Sequence, residues 1–423
     1  MSTLVRTIKE LEIVQGARIF VAPRKTKDVV TLEGSVIGGA SLVSEYKRMV
    51  PAFAANLLDA GTKTKTKDAL RESLAARGAT LSFCAKGERM HFYGSCLPED
   101  LNLLVKTLVE CLGESVFPKE EIETVREIVL GELAEEKSDT KAEAAAALTR
   151  AVYDAKHPNY IQTTALRERS VRAIDRKDLV SFAKHLGSGG LVLAVVGDVT
   201  IDDATKALQN LKRLPKGTSN VATAPMNAKV QTTSETFVRI AGKANIDTYL
   251  GASVPLTVQD SHYVPFMFLS DMLGSRGFSG HLMQTIRERD GLTYGIYTMH
   301  TGFDDNRDGL FRIWATFSPD TFARAVTLTR KEIALFFKTK LTEEAVEARK
   351  ERLIGGYLMS LSTTGGLASA LHRIGREGRS LAYLDQYPEI LREMTLSQIR
   401  EAAALIPLTK LSLTASGTFA DKA

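Results

Sequence analysis

The strongest constraint on this chain is that its second half repeats its first. "LRESLAARGATLSF" lines up with "LMQTIRERDGLTYGI", which sets Gly78 against Gly291 at an offset of 213 residues. Each copy then runs through a hairpin into a helix that opens on proline and acid, "LPEDLNLLVKTLVECL" in the first and "SPDTFARAVTLTRKEI" in the second. Pro98 and Pro319 are 221 residues apart, so the second copy holds eight residues more between these landmarks. A repeat near half of 423 residues points to two copies of one domain. It points away from a solenoid, whose periods are about 20–50 residues.

Within the first copy, "LEIVQGARIFVAPR" reads as two short strands around Gly16 and "DVVTLEGSVIGG" as a third. Residues 46–60 turn helical, and "KDALRESLAARG" is a helix closed by Gly78, where glycine takes the left-handed conformation. "ATLSFCAKGERMHFYGSCL" reads as a hairpin turning at Lys86-Gly87. Leu101, Leu104, Val105, Leu108 and Cys111 recur at helical spacing, and "PKEEIETVREIVLGEL" is a helix with Pro118 at its first turn. An Ala-rich helix and the strand "LVLAVVGDV" complete the copy. "KRLPKGTSNVATAPMNAKVQTTSE" is polar and aperiodic, as a linker is. The expected fold class is α+β, with homologous domains at 1–214 and 232–423 joined by a linker at 215–231. Each domain is expected to be a mainly antiparallel sheet covered by helices.

Composition narrows the function classes. A net charge of +5 is too small to mark a nucleic-acid binder, and 12 Pro with 31 Gly exclude collagen-like repeats and disorder. Cys84, Cys96 and Cys111 are an odd, sparse set without a Cys-x-x-Cys pair, which suits a reducing compartment. The first twenty residues hold no apolar run long enough for a signal peptide or a membrane span. A cytoplasmic location is expected, with a leader outside this sequence left open.

Few residues carry an obvious chemistry. His91, His157, His185, His262, His281, His300 and His372 are scattered, and no two fall within one helical turn. The glycine-rich "LGSRGFSGHLMQ" lacks the Gly-Lys-Ser/Thr ending of a phosphate loop, although the amides of residues 274–280 are candidates for an anion or a peptide carbonyl. Lys63, Lys65 and Lys67 form an alternating basic stripe without interleaved aromatics, which favours a solvated loop. Glu132 lies seven residues beyond Val125 and four beyond Ile128, on the stripe expected to be buried. The alternative is an exposed Glu in a Glu-rich helix. Arg287 and Tyr294 flank the turn at Asp290-Gly291 and are donors able to stabilise an oxyanion in one cleft. The plainer alternative is a surface arginine and a half-buried strand tyrosine.

Taken in order, "GTKTKTKDALRESLAARGATLSF", "FPKEEIETVREIVLGEL", "LVLAVVGDV" and "IRERDGLTYGIY" resemble the pitrilysin/insulinase-type zinc peptidases with the inverted His-x-x-Glu-His motif. The likeness is to the two-domain bacterial and mitochondrial processing-peptidase branch. It departs at the metal site. The family's His-Phe-x-Glu-His falls on Ala52-Phe53-Ala54-Ala55-Asn56, so both zinc-binding histidines are replaced, by Ala52 and Asn56, and the general base by Ala55. The resemblance makes Glu132, 76 residues after Asn56, the remaining metal ligand, and puts Val125 where the family often carries a second acid. One carboxylate cannot fill the three protein positions of catalytic zinc. Arg287 and Tyr294 match the family's pair that holds the substrate carbonyl. The resemblance therefore implies a non-catalytic subunit of a heterodimeric zinc peptidase. It would hold no metal of its own and face a homologous zinc-motif chain across a shared chamber, with unfolded peptides as substrates. The alternatives are a scaffold like the core subunits of respiratory complexes, and a homodimeric peptide-binding protein.

Overall fold

The computed structural model describes residues 4–220, 233–275, 279–303 and 307–419. The described residues form eleven strands in two sheets. The first holds β1 (Lys9–Leu11), β2 (Arg18–Pro23), β3 (Val30–Ile37), β4 (Thr80–Lys86), β5 (Arg89–Cys96) and β6 (Val192–Gly197), in the order β1-β2-β6-β3-β5-β4. The second holds β7 (Glu235–Arg239), β8 (Ile246–Val254), β9 (Ile296–Thr301), β10 (Gly309–Phe317) and β11 (Ser412–Gly417), in the order β7-β11-β8-β10-β9. With β1 set aside the two orders are the same, position for position. Each has one parallel pair, β2 with β6 and β7 with β11, and is otherwise antiparallel. The internal repeat is thus a duplicated α+β domain.

Local chemistry accounts for the landmarks. Thr66 caps the Lys67–Ala75 helix by accepting from the Ala69 amide, and Gly78 ends the segment at φ +61°. Gly87, at φ +59°, turns the β4–β5 hairpin, which closes with Lys86 opposite Arg89. In the second copy Gly291 takes the same role at φ +65°.

Two compact units divide the chain. One takes Met1–Gly131, Ala165–Thr223 and Ile354–Ile390; the other takes Glu132–Thr164, Ala224–Leu353 and Leu391–Ala423. The strands keep to the spans 1–214 and 232–423 expected from the repeat, but helical stretches cross over, Ile354–Ile390 into the first unit and Glu132–Thr164 into the second. Helix Thr364–Arg376, from the second half, covers the first sheet: Leu367, Leu371 and Ile374 pack with Phe20, Val192 and Val196. Helix Thr140–Val152, from the first half, covers the second: Ala144, Leu148 and Val152 pack with Tyr249 and Leu310. Each fully buried aliphatic side chain contributes about 1.5–3 kcal/mol. Glycine permits the close approach. A Cβ on Gly375 would sit 2.4 Å from Val192 Cγ1, and one on Gly251 would sit 2.7 Å from Leu148 Cδ2.

The expected linker begins as ordered chain. The amides of Ser188 and Gly189 donate to the carbonyls of Pro215 and Lys216 at 2.8 and 2.7 Å, and the Thr218 amide donates to His185. Of the span 215–231, residues 221–231 lie outside the described residues. Among the described residues, no helix is long and apolar enough to cross a membrane.

Candidate functional site

Ala52, Ala55 and Asn56 lie on and just after the short helix Val50–Ala55. Residues four apart share a helix face, and here Ala52 and Asn56 are both exposed while Ala55 is 6% exposed. The Asn56 side-chain amide donates to the Ala52 carbonyl at 3.2 Å, which ties it to its own helix end. Zinc takes thiolate, imidazole or carboxylate ligands, so the Ala52 methyl and the backbone-bound Asn56 amide do not fit the ion that the motif holds elsewhere, and the Ala55 methyl cannot act as a base. Among the described residues no group of three His, Cys, Asp or Glu is arranged to hold a metal.

Glu132 follows the second of its two sequence readings, the exposed Glu of a Glu-rich helix. In helix Lys119–Glu136 the buried line is Ile122, Val125, Val129 and Leu133, while Ile128 is 53% exposed and Glu132 is exposed. The choice between Ile128 and Val129 fixes the phase of the stripe. Packing selects Val129, which turns Glu132 outward. Val125, 8% exposed, belongs to that same apolar line.

Arg287 and Tyr294 stand on either side of one sharp turn. Residues Met283–Arg289 form a π-helix, a wider helix that is rare and recurs at functional sites. The Gly291 amide donates to the Arg287 carbonyl at 3.1 Å and the Leu292 amide to Ile286 at 3.0 Å, which ends the helix and buries Leu292. Arg287 is half-buried, with Nη1 3.9 Å from Met283 Sδ. Tyr294 is 90% exposed. Its neighbours hold it there. Thr293 Oγ1 donates to the carbonyls of Gly295 and Thr316 at 2.9 and 2.6 Å, and the Gly295 amide donates back to Thr293 Oγ1 at 3.1 Å. A side chain at Gly295 would press on the Trp314 ring, 3.3 Å from the Cβ position. The pair is thus a guanidinium anchored at its base and a phenol held out on a clamped backbone. The expectation of a half-buried strand tyrosine does not describe Tyr294.

A polar network centred on the buried Glu332 carboxylate joins the π-helix to helix Phe322–Leu335. Glu332, 4% exposed, receives the His281 imidazole at 3.0 Å on one oxygen and Arg289 at 3.0 Å on the other. Burial pushes the His281 imidazole below its ordinary range, Glu332 opposes that shift, and Lys340 adds to it. Arg289 also grips Asp290 at 2.7 Å and holds that carboxyl below the usual carboxylate range. Thr293 and this network were not readable from the sequence: a π-helix breaks the 3.6-residue period on which pattern reading rests.

The remaining candidates resolve into structural roles. Lys65 pairs with the nearly buried Glu110 at 3.0 Å and Lys67 with Glu121 at 2.5 Å, so two of the three stripe lysines are neutralised. His157 meets Asp308 at 3.1 Å in the second unit's interior, and His372, on the helix that crosses to the first sheet, meets Ser35 Oγ at 2.8 Å. Of the glycine-rich stretch 274–280, residues 276–278 lie outside the described residues.

Comparison with known proteins gives the context of this site. The model described as "Insulinase (Peptidase family M16)" matches residues 44–164, and that described as "Peptidase M16 inactive domain" matches residues 173–353. An uncharacterized zinc protease of Mycobacterium leprae is 23% identical over 393 residues, covering 92% of this chain and 85% of the relative. The non-peptidase homolog YmxG of Helicobacter pylori is 23% identical over 368 residues, covering 86% and 83%. The crystal structure of a peptidase M16 inactive domain from Pseudomonas fluorescens superposes with a TM-score of 0.88 at 19% identity, over 98% of this chain and 99% of that one. With family models matched across both halves, this chain belongs to peptidase family M16, the insulinase family, and is a member without a His-x-x-Glu-His motif.

Proposed function

We propose that this chain is the non-catalytic subunit of a heterodimeric zinc peptidase and lends Arg287 and Tyr294 to a homologous chain that carries the metal. One contrast supports the reading: Ala52, Ala55 and Asn56 stand where the motif would be, yet Tyr294 is displayed at 90% exposure, one turn along the chain from Arg287. A phenol so exposed adds nothing to a core. Together with the Arg287 guanidinium it would suit a substrate carbonyl, whose oxygen gains charge as water adds to the carbon. Zinc and the general base would belong to the sibling chain, and the work of this chain's residues is to hold that oxygen. Unfolded peptides are the expected substrates, taken up by strand addition at a sheet edge, where β4 and β9 each end their sheets. The expected compartment is the cytoplasm.

The test is reconstitution. The chain alone is expected to cleave no quenched fluorescent peptide, and the mixture with its zinc-motif sibling is expected to turn it over. Arg287→Ala and Tyr294→Phe are expected to lower the mixture's kcat by about 10²–10³ without loss of complex. Wild-type rates in both variants would overturn the assigned roles. Failure to bind the sibling, with stable association to membrane subunits or to itself, would favour the scaffold or the homodimeric peptide binder.

A further inference from the structure

The second unit carries a cavity of about 380 Å³ that the peptidase reading does not use. Among the described residues, the charged side chains that line it are Lys340, Arg349 and Arg352, with no carboxylate. Ala345, Ala348, Arg349 and Arg352 fall on one face of helix Glu343–Ser360, and the two alanines leave the space between the cations open.

Arg349 is already in place. It is 8% exposed, with Nε on Asp271 Oδ2 at 2.5 Å, Nη2 on the Asp271 carbonyl at 2.6 Å and Nη1 on Ser279 Oγ at 3.1 Å. Lys340 and Arg352 are exposed, and their side chains make no hydrogen bond or ion pair among the described residues. His281 also lines the cavity, with Nε2 committed to Glu332. Asp271 offsets the charge of Arg349, so Lys340 and Arg352 are the two cations at the cavity without a carboxylate partner among the described residues, and a bound anion relieves their repulsion.

We infer that this cavity binds a phosphoryl group, as inorganic phosphate or as the phosphate of a nucleotide-sized ester. With the Arg349 fork committed to Asp271 and Ser279, the Arg352 guanidinium and the Lys340 ammonium match the charge of a phosphate dianion better than that of a single carboxylate. The site is independent of Arg287 and Tyr294 and stands whether or not the chain serves a peptidase.

Isothermal titration of the full chain with sodium phosphate, AMP and acetate at constant ionic strength tests it, because general screening is then the same in every arm. Saturable binding of phosphate or AMP is expected, and the tighter of the two names the source. Lys340→Gln and Arg352→Gln are each expected to weaken it roughly tenfold, the size of a lost charge-assisted hydrogen bond. Both residues are exposed, so the variants keep the fold, which circular dichroism checks. An NMR titration adds a second readout: the bound dianion is expected to raise the pH at which His281 takes up its proton. No saturable binding, equal affinity in the variants, or acetate binding as tightly as phosphate would each overturn the assignment.

Discussion

Replacing three bare helix positions with alanine is expected to stabilise this protein. Gly131 is the thirteenth residue of the 18-residue helix Lys119–Glu136, and Gly355 is the thirteenth of the 18-residue helix Glu343–Ser360, with Gly356 next to it. All three are interior helix positions outside the left-handed region, and a Cβ built on any of them meets no atom within 4 Å. Glycine in a helix interior costs about 0.5–1 kcal/mol against alanine, because the unfolded chain is freer. Gly131→Ala, Gly355→Ala and Gly356→Ala together should therefore add about 1.5–3 kcal/mol. With an m-value of about 3 kcal/mol/M, the urea midpoint of the triple variant rises by roughly 0.5–1 M. Equilibrium unfolding followed by far-UV circular dichroism reads this directly. An unchanged or lowered midpoint for the triple variant would refute the reasoning and mean that another surface presses on these faces in the folded protein.

Tyr294→Phe is expected to change stability by less than about 0.5 kcal/mol, since the ring is 90% exposed, so a large kcat effect in the reconstituted enzyme cannot come from unfolding. Trp314 is the single tryptophan and lies against Gly295, with Lys141 Nζ 3.7 Å above its ring. Binding of an unfolded peptide beside Tyr294 should shift its fluorescence, and Trp314→Phe should abolish the signal. His372 is held below its ordinary value of 6.5, first by burial and then by Arg376 and Arg89, against Glu33. In the unfolded chain it takes up a proton as pH falls below about 6.5, whereas in the folded chain it resists, so its stabilising contribution is present above that pH and is lost as pH falls toward the folded value. His372→Gln should flatten that part of the stability–pH curve, and an unchanged slope would count against the assignment. Chelation by EDTA is expected to leave the unfolding midpoint of the isolated chain where it was, and a drop of several degrees would mean that a structural metal is bound.

Much of the architecture was legible because it rests on local chemistry. Gly78, Gly87 and Gly291 mark turns that need positive φ, and the apolar stripe Leu101, Leu104, Val105, Leu108 and Cys111 is buried throughout. The candidate site was partly legible. Arg287 and Tyr294 were found from the turn between them, but the π-helix under Arg287 and the threonine clamp beside Tyr294 depend on hydrogen bonds that periodicity does not encode. Glu132 was ambiguous because Ile128 and Val129 are adjacent and both apolar, and only packing chooses between them. The passage of Thr140–Val152 and Thr364–Arg376 to the other half's sheet was invisible, since an amphipathic helix does not announce which surface it will meet.

That exchange bears on how the protein is made. As the ribosome releases the chain, β1–β6 emerge early, but the helix that shields one face of their sheet lies about 170 residues further on. Until Thr364–Arg376 appears, Phe20, Val192 and Val196 have no cover, so the nascent amino-terminal portion is a natural client for a holdase chaperone. Severing the gene at the linker would leave each fragment without its lid. The duplicated halves, though built on one plan, have become obligate companions in biosynthesis.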